Sequence, residues 1–141
     1  MKLVVLAVAL VSLGSTSALA ADQVGERCTG TETVQVGTQP PRTIAYSLNF
    51  SVDLASKSYC YDKCLPEQTY AISDATSNPL KLADLDRGGQ TRRLTFDRNK
   101  SVLTDYQVIA GGLVKVVRNA SATCQAAKFH RPLTETKAEA K

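Results

Sequence analysis

Apolar side chains occupy every second position across residues 43–54. Ile44, Tyr46, Leu48, Phe50, Val52 and Leu54 share one parity, and Thr43, Ala45, Ser47, Asn49, Ser51 and Asp53 share the other. Successive side chains of a strand point to opposite faces, whereas a helix would repeat its apolar positions every three to four residues. The stretch is therefore a half-buried β-strand. Pro40 and Pro41 fix its start, because neither can donate to a sheet ladder. Residues 55–58 read as a turn and Tyr59-Cys60-Tyr61 as the returning strand of a hairpin. A second hairpin follows the same plan. Residues 93–97 alternate, 98–100 turn, and 101–108 return with Val102, Thr104, Tyr106 and Val108 on one face. Further strands are expected at 31–36, 69–73, 79–83 and 113–124, with Gly111-Gly112 before the last. Helical signals are confined to residues 124–128 and the tail. This pattern predicts an all-β fold, a single small antiparallel meander forming a barrel or sandwich.

The N-terminus has a different character. Lys2 leads into an apolar run over residues 3–11, and the segment ends in Ala18-Leu19-Ala20. A charged start, a short apolar run and an A-x-A ending are the parts of a signal peptide, and the run is too short to span a bilayer. The expected organisation is a signal peptide at 1–20, an all-β domain at 21–128 and a polar, disordered tail at 129–141. A chain of this size supports one core. Export, periplasmic or secreted, argues against a cytosolic enzyme, and nothing beyond the leader is apolar enough to span a membrane. The formal net charge of +4 includes only Lys2 from the leader. That modest balance argues against nucleic acid as the partner.

Four cysteines, Cys28, Cys60, Cys64 and Cys124, form an even set in an exported domain. Such a set reads as two disulfides. Three pairings are open, and Cys28–Cys124 with Cys60–Cys64 is favoured. The outer pair brackets the domain, and the inner pair lies within one short segment. The C-x3-C spacing at Cys60 and Cys64 is not the C-x2-C of thioredoxin-like redox motifs, and no βαβ pattern surrounds it. Asn49, Asn99 and Asn119 each begin an N-x-S triplet, a short pattern that arises readily by chance.

The residues that carry chemistry are few. The one histidine, His130, falls in the expected tail, where an imidazole is not held against a nucleophile. Among the carboxylates, Asp53, Asp62, Asp84, Asp86, Asp97 and Asp105 are read at turns or on outward parities. A paired-acid hydrolase is the alternative they would serve. The phrase Asp84-Leu85-Asp86-Arg87-Gly88-Gly89 opens like a calcium loop, but Thr95 stands where the bidentate Glu is needed. It is read as a polar loop. No metal and no cofactor is expected. The densest charge lies at Arg87, Arg92, Arg93, Arg98 and Lys100, and the last four are a candidate binding patch for a glycan or acidic partner. Solubility and edge protection would explain the same residues. The expected function is non-enzymatic: a binding or interaction module of the cell envelope or exterior. Its partner would be a protein, a glycan or a small ligand.

Residues 43–124 carry a resemblance. The strand Tyr46 to Leu54, the segment Tyr59-Cys60-Tyr61-Asp62-Lys63-Cys64, the hairpin at Arg93 to Arg98 and a closing strand ending at Cys124 are its elements. Together they resemble small uncharacterised periplasmic or secreted all-β proteins of Gram-negative bacteria. That resemblance implies the fold and the compartment and no activity. Periplasmic inhibitors of c-type lysozyme are similar in size, export and β content. Their Ser-Gly-x-x-Tyr loop has no counterpart here, so no inhibitory residue is carried over.

Overall fold

The structure, a computed structural model, describes residues 22–133. The expected signal peptide and residues 134–141 of the expected tail lie outside that range. The strands are β1 (Gln23–Val36), β2 (Arg42–Asp53), β3 (Ser58–Tyr61), β4 (Thr69–Ala71), β5 (Leu80–Arg87), β6 (Gln90–Asp97), β7 (Val102–Ile109) and β8 (Val116–Ala126). The only helical element among the described residues is one 3-10 turn at Pro66–Gln68. Residues 124–126, a candidate helix start in the sequence, instead complete β8.

All pairings are antiparallel, and the order is β4-β3-β2-β1-β8-β7-β6-β5. Chain neighbours lie side by side, and β8 returns to β1. The two outer strands meet just after β4. Ser73 N–H donates to Leu82 O at 3.3 Å, Asp74 N–H to Lys81 O at 3.0 Å, and Lys81 N–H to Asp74 O at 3.2 Å. The result is an up-and-down, nearly closed barrel, the first of the two expected architectures. Closure is confined to one end. β3 and β4 are four and three residues long, while their neighbours run from eight to fourteen. The long strands therefore extend past the closed end and leave the other end open along one side.

Both hairpins fall where the alternation places them. Two local readings change. On β7 the buried residues are Leu103 and Asp105, so Val102, Thr104, Tyr106 and Val108 form the other face. Register decides this, because Leu103 pairs with the buried Phe96. The calcium-like phrase is not a loop. Residues 84–87 complete β5, and Gly88 and Gly89 alone make the turn, with φ values of 60° and 75°. A two-residue hairpin of this kind has positive φ at both positions, which glycine adopts without steric cost.

The core combines Phe50, Val52, Leu80, Leu82, Leu94, Phe96 and Leu103 with the Cys28–Cys124 disulfide, all inside the barrel. Those cysteines are direct partners on β1 and β8. The second disulfide, Cys60–Cys64, lies on the outside and is nevertheless buried. Two disulfides place the protein in an oxidising environment.

What covers the second disulfide is the chain after β8, which corrects part of the tail reading. Gly25, Ser51 and Cys60 are successive cross-strand partners on β1, β2 and β3, a row of small residues on the outer face. A Cβ on Gly25 would stand 2.7 Å from the Ala127 and Lys128 carbonyl oxygens, so only glycine lets the chain cross there. His130 N–H donates to Ser51 Oγ at 2.9 Å, Leu133 N–H donates to Cys64 O at 3.3 Å, and Pro132 is buried. Residues 129–133 thus form a strap belonging to the domain. Composition hid this, because the strap is held by backbone hydrogen bonds and shape. Truncation after Lys128 uncovers Ser51, Cys60 and Cys64. It is expected to cost about 1–2 kcal/mol and lower Tm by roughly 5–10 °C. An unchanged melting curve in scanning calorimetry would show that the strap contributes nothing.

Candidate binding site

Directly paired residues in antiparallel strands project to the same face, so the register gives the barrel wall as rows. One row reads Tyr46, Gly30, Ala122, Leu103, Phe96 and Leu80. It is core, and a Cβ on Gly30 would collide with the backbone of Ser121. The next row toward the open end reads Ile44, Glu32, Ala120, Asp105, Leu94 and Ala83. The one beyond reads Arg42, Val34, Arg118, Gln107, Arg92 and Leu85. Within two rows the inner surface changes from apolar to charged. Apolar side chains persist around it, with Ile44, Leu85 and Ile109 at 48%, 42% and 40% exposure.

A β-bulge makes room for this surface on β5. Lys81 pairs with Thr95 and Ala83 with Leu94, so Leu82 is the extra residue. The parity resets there, and Leu82, Ala83 and Leu85 all line the inside.

The charges form two forked pairs. Arg92 donates through Nε to Asp105 Oδ1 at 3.1 Å and through Nη2 to Oδ2 at 2.9 Å. Asp105 Oδ2 also accepts from Gln107 Nε2 at 3.0 Å and from the Tyr46 hydroxyl at 3.2 Å. Arg118 donates to Glu32 through Nε at 2.8 Å and Nη2 at 2.9 Å. Both carboxylates are 3% exposed, while the guanidinium groups reach solvent. Such forks fix an arginine in one plane as well as in one place. The Arg92 guanidinium also lies 5.5 Å from the centre of the Tyr61 ring, a cation–π contact. Tyr59, Tyr61 and Tyr70 pack edge-on or tilted against one another beside it, with ring centres 5.5–5.6 Å apart.

These surroundings shift the titrating groups. Burial, followed by the Asp105 charge, holds the Tyr46 hydroxyl well above its ordinary pKa. Burial, then Tyr59, does the same for Tyr61, and burial raises Tyr59. For Arg92, burial works against the charge, but the Asp105 hydrogen bond and nearby groups outweigh it and the pKa rises. A phenol whose folded pKa is raised contributes stability below its unfolded pKa of about 10 and loses it as pH climbs toward the folded value. Tyrosinate absorbance of the folded protein should therefore lag that of the urea-unfolded protein above about pH 10 and catch up as the barrel unfolds. Coincident titration curves would contradict this.

The expected basic patch does not hold together. Arg92 faces inward near the open end. Arg93 is outside, 3.5 Å from Asp84, and Arg98 and Lys100 lie in the β6–β7 turn at the other end of the strand, with Lys100 3.7 Å from Asp97. Asp53, Asp74 and Asp97 accept backbone N–H bonds in turns. Asp105, read as outward, is the buried centre of the inner network. His130 belongs to the strap. Glu32, Arg118, Tyr46 and Gln107 were not singled out by sequence reasoning. The available signal was a charged residue at a strand's inward parity, visible for Glu32 between Gly30 and Val34.

The chain matches no family model and no curated protein.

Proposed function

We propose that this protein is a non-enzymatic binding module of the cell envelope or exterior, exported to the periplasm or secreted, and that it takes its ligand at the open end of the barrel. The observation that carries this reading is the inner face. It passes from packed core to two rigid arginine–carboxylate forks and a tyrosine cluster while remaining open to solvent. Clefts lined by apolar and aromatic groups with a few fixed polar donors are the usual form of ligand sites. Both oxygens of Glu32 and of Asp105 are already held by arginine, which favours recognition over acid–base chemistry. The signal peptide expected at residues 1–20 and the two disulfides support the compartment. The test is a titration of 15N-labelled protein with a panel of aromatic acids, amines and monosaccharides, followed by amide shifts. Saturable shifts should gather on Tyr46, Tyr61, Arg92 and Arg118. Shifts confined to Arg93, Arg98 and Lys100, or none, would overturn the reading.

A further inference from the structure

The barrel fails to close at one seam, and the seam has its own chemistry. Beyond the contacts of Ser73 and Asp74 with Lys81 and Leu82, the one further hydrogen bond across the gap among the described residues is from Asp84 N–H to Ser73 Oγ at 2.9 Å. From there on, no strand among the described residues flanks the outer edge of β5. A cavity of about 350 Å³ opens in that gap, with Tyr59 and Tyr70 on one side, Leu82, Ala83 and Leu85 on the other, and Arg92 among its lining groups. The Tyr59 and Tyr70 rings lie 5.6 Å apart and 32° from parallel, so the buried Tyr59 backs the half-exposed Tyr70, which forms the aromatic wall. The bulge on β5 brings the opposing aliphatic wall inward.

Arg92 gives this slot a polar anchor. Its Nε and Nη2 are committed to Asp105, which fixes the guanidinium plane. No acceptor among the described residues takes the Nη1 protons. A guanidinium held by a buried carboxylate and an aromatic ring is preorganised, and its free N–H groups suit an oxyanion. Asp84, at the cavity edge, is paired with Arg93 at 3.5 Å.

We propose that the seam binds small aromatic anions. The aryl ring lies against Tyr70 on one side and Ala83 and Leu85 on the other, and its carboxylate or sulfonate accepts from Arg92 Nη1. The volume is at the low end for ligand cavities and suits one or two fused rings. This assignment rests on the binding reading above and narrows it to a ligand class and a place.

Three probes separate its parts: 1-anilinonaphthalene-8-sulfonate, the uncharged N-phenyl-1-naphthylamine, and decanoate as an aliphatic anion. The double variant R92Q/D105N removes both charges while keeping hydrogen-bonding groups in place. The expected result is about tenfold weaker binding of the sulfonate, the loss of one charge-assisted contact, with the neutral probe unchanged within about twofold. Leu85→Glu, at a 42% exposed position that need not disturb folding, puts a carboxylate and a lost apolar wall into the slot. It should abolish binding of both aromatic probes. Decanoate should not displace the sulfonate at equal concentration. Unchanged sulfonate binding by R92Q/D105N overturns the anion assignment, and displacement by decanoate overturns the aromatic requirement. Unchanged binding by Leu85→Glu overturns the seam as the place. Tyr46 and Arg118 do not line this cavity, so their amide shifts in the unsubstituted protein report on the open end separately, and the broader reading stands or falls on them.

Discussion

Replacing Cys28 and Cys124 together with alanine should lower the unfolding free energy by about 4–5 kcal/mol, more than any other removal of a covalent link in the domain. The bond spans a sequence separation of 96, against 4 for Cys60–Cys64. In the chain-entropy account a loop of that length contributes about 4.7 kcal/mol and the short one only about 2. Position adds to length. Cys28 and Cys124 join β1 to β8, the pairing that brings the two ends of the meander together, and both are part of the core. Cys60–Cys64, on the outer face, is buried chiefly under the strap. Domains of this size are stable by about 5–15 kcal/mol, so the Cys28→Ala/Cys124→Ala protein should be marginal at 37 °C. Urea unfolding of the two double variants at one pH measures the order directly. A larger loss for Cys60→Ala/Cys64→Ala would mean that the strap and its disulfide hold the fold, not the β1–β8 seam.

Strands were legible wherever burial is one-sided. Residues 42–53 alternate because one face of β2 turns into the barrel and the other outward, to water as far as Asn49 and beneath the strap at Ser51, and the four cysteines pair as their spacing suggests. What escaped reading are the places where a strand's inward side is not apolar. β1 carries Glu26, Gly30 and Glu32 on the parity of Cys28, so its first half shows no alternation at all. On β7, Val102, Thr104, Tyr106 and Val108 look like the better apolar face than Leu103, Asp105 and Gln107. Only the register against β6 reverses that choice. The candidate site is the same phenomenon seen from inside. Its residues are polar groups on inward parities, and each is satisfied by a partner far along the chain: Glu32 by Arg118, Asp105 by Arg92 and Tyr46. Sequence periodicity cannot report a partner that distant. The strap was hidden for a related reason, since its anchors are backbone groups that no composition reveals.

The inner network leads to the second large effect. Arg92→Met should cost about 3–5 kcal/mol, toward the lower figure because the arginine is 29% exposed. The loss comes mainly from Asp105, left 3% exposed with only the Tyr46 hydroxyl and Gln107 as donors. The double variant Arg92→Met/Asp105→Leu removes the stranded charge together with its partner. It should recover most of the loss, because an apolar pair of similar volume is often no less stable than a buried ion pair. The cycle, completed with Asp105→Leu and measured by urea denaturation, should give a coupling of at least about 1–2 kcal/mol. Additive effects would mean that the two groups do not depend on each other. The same cycle bears on why the pair is there. If the uncharged double variant folds as well as the parent, stability does not require two forked arginines inside a barrel. The use left for a guanidinium fixed in that position is the one proposed above, an N–H donor for an anion bound at the seam that Arg92 helps to line.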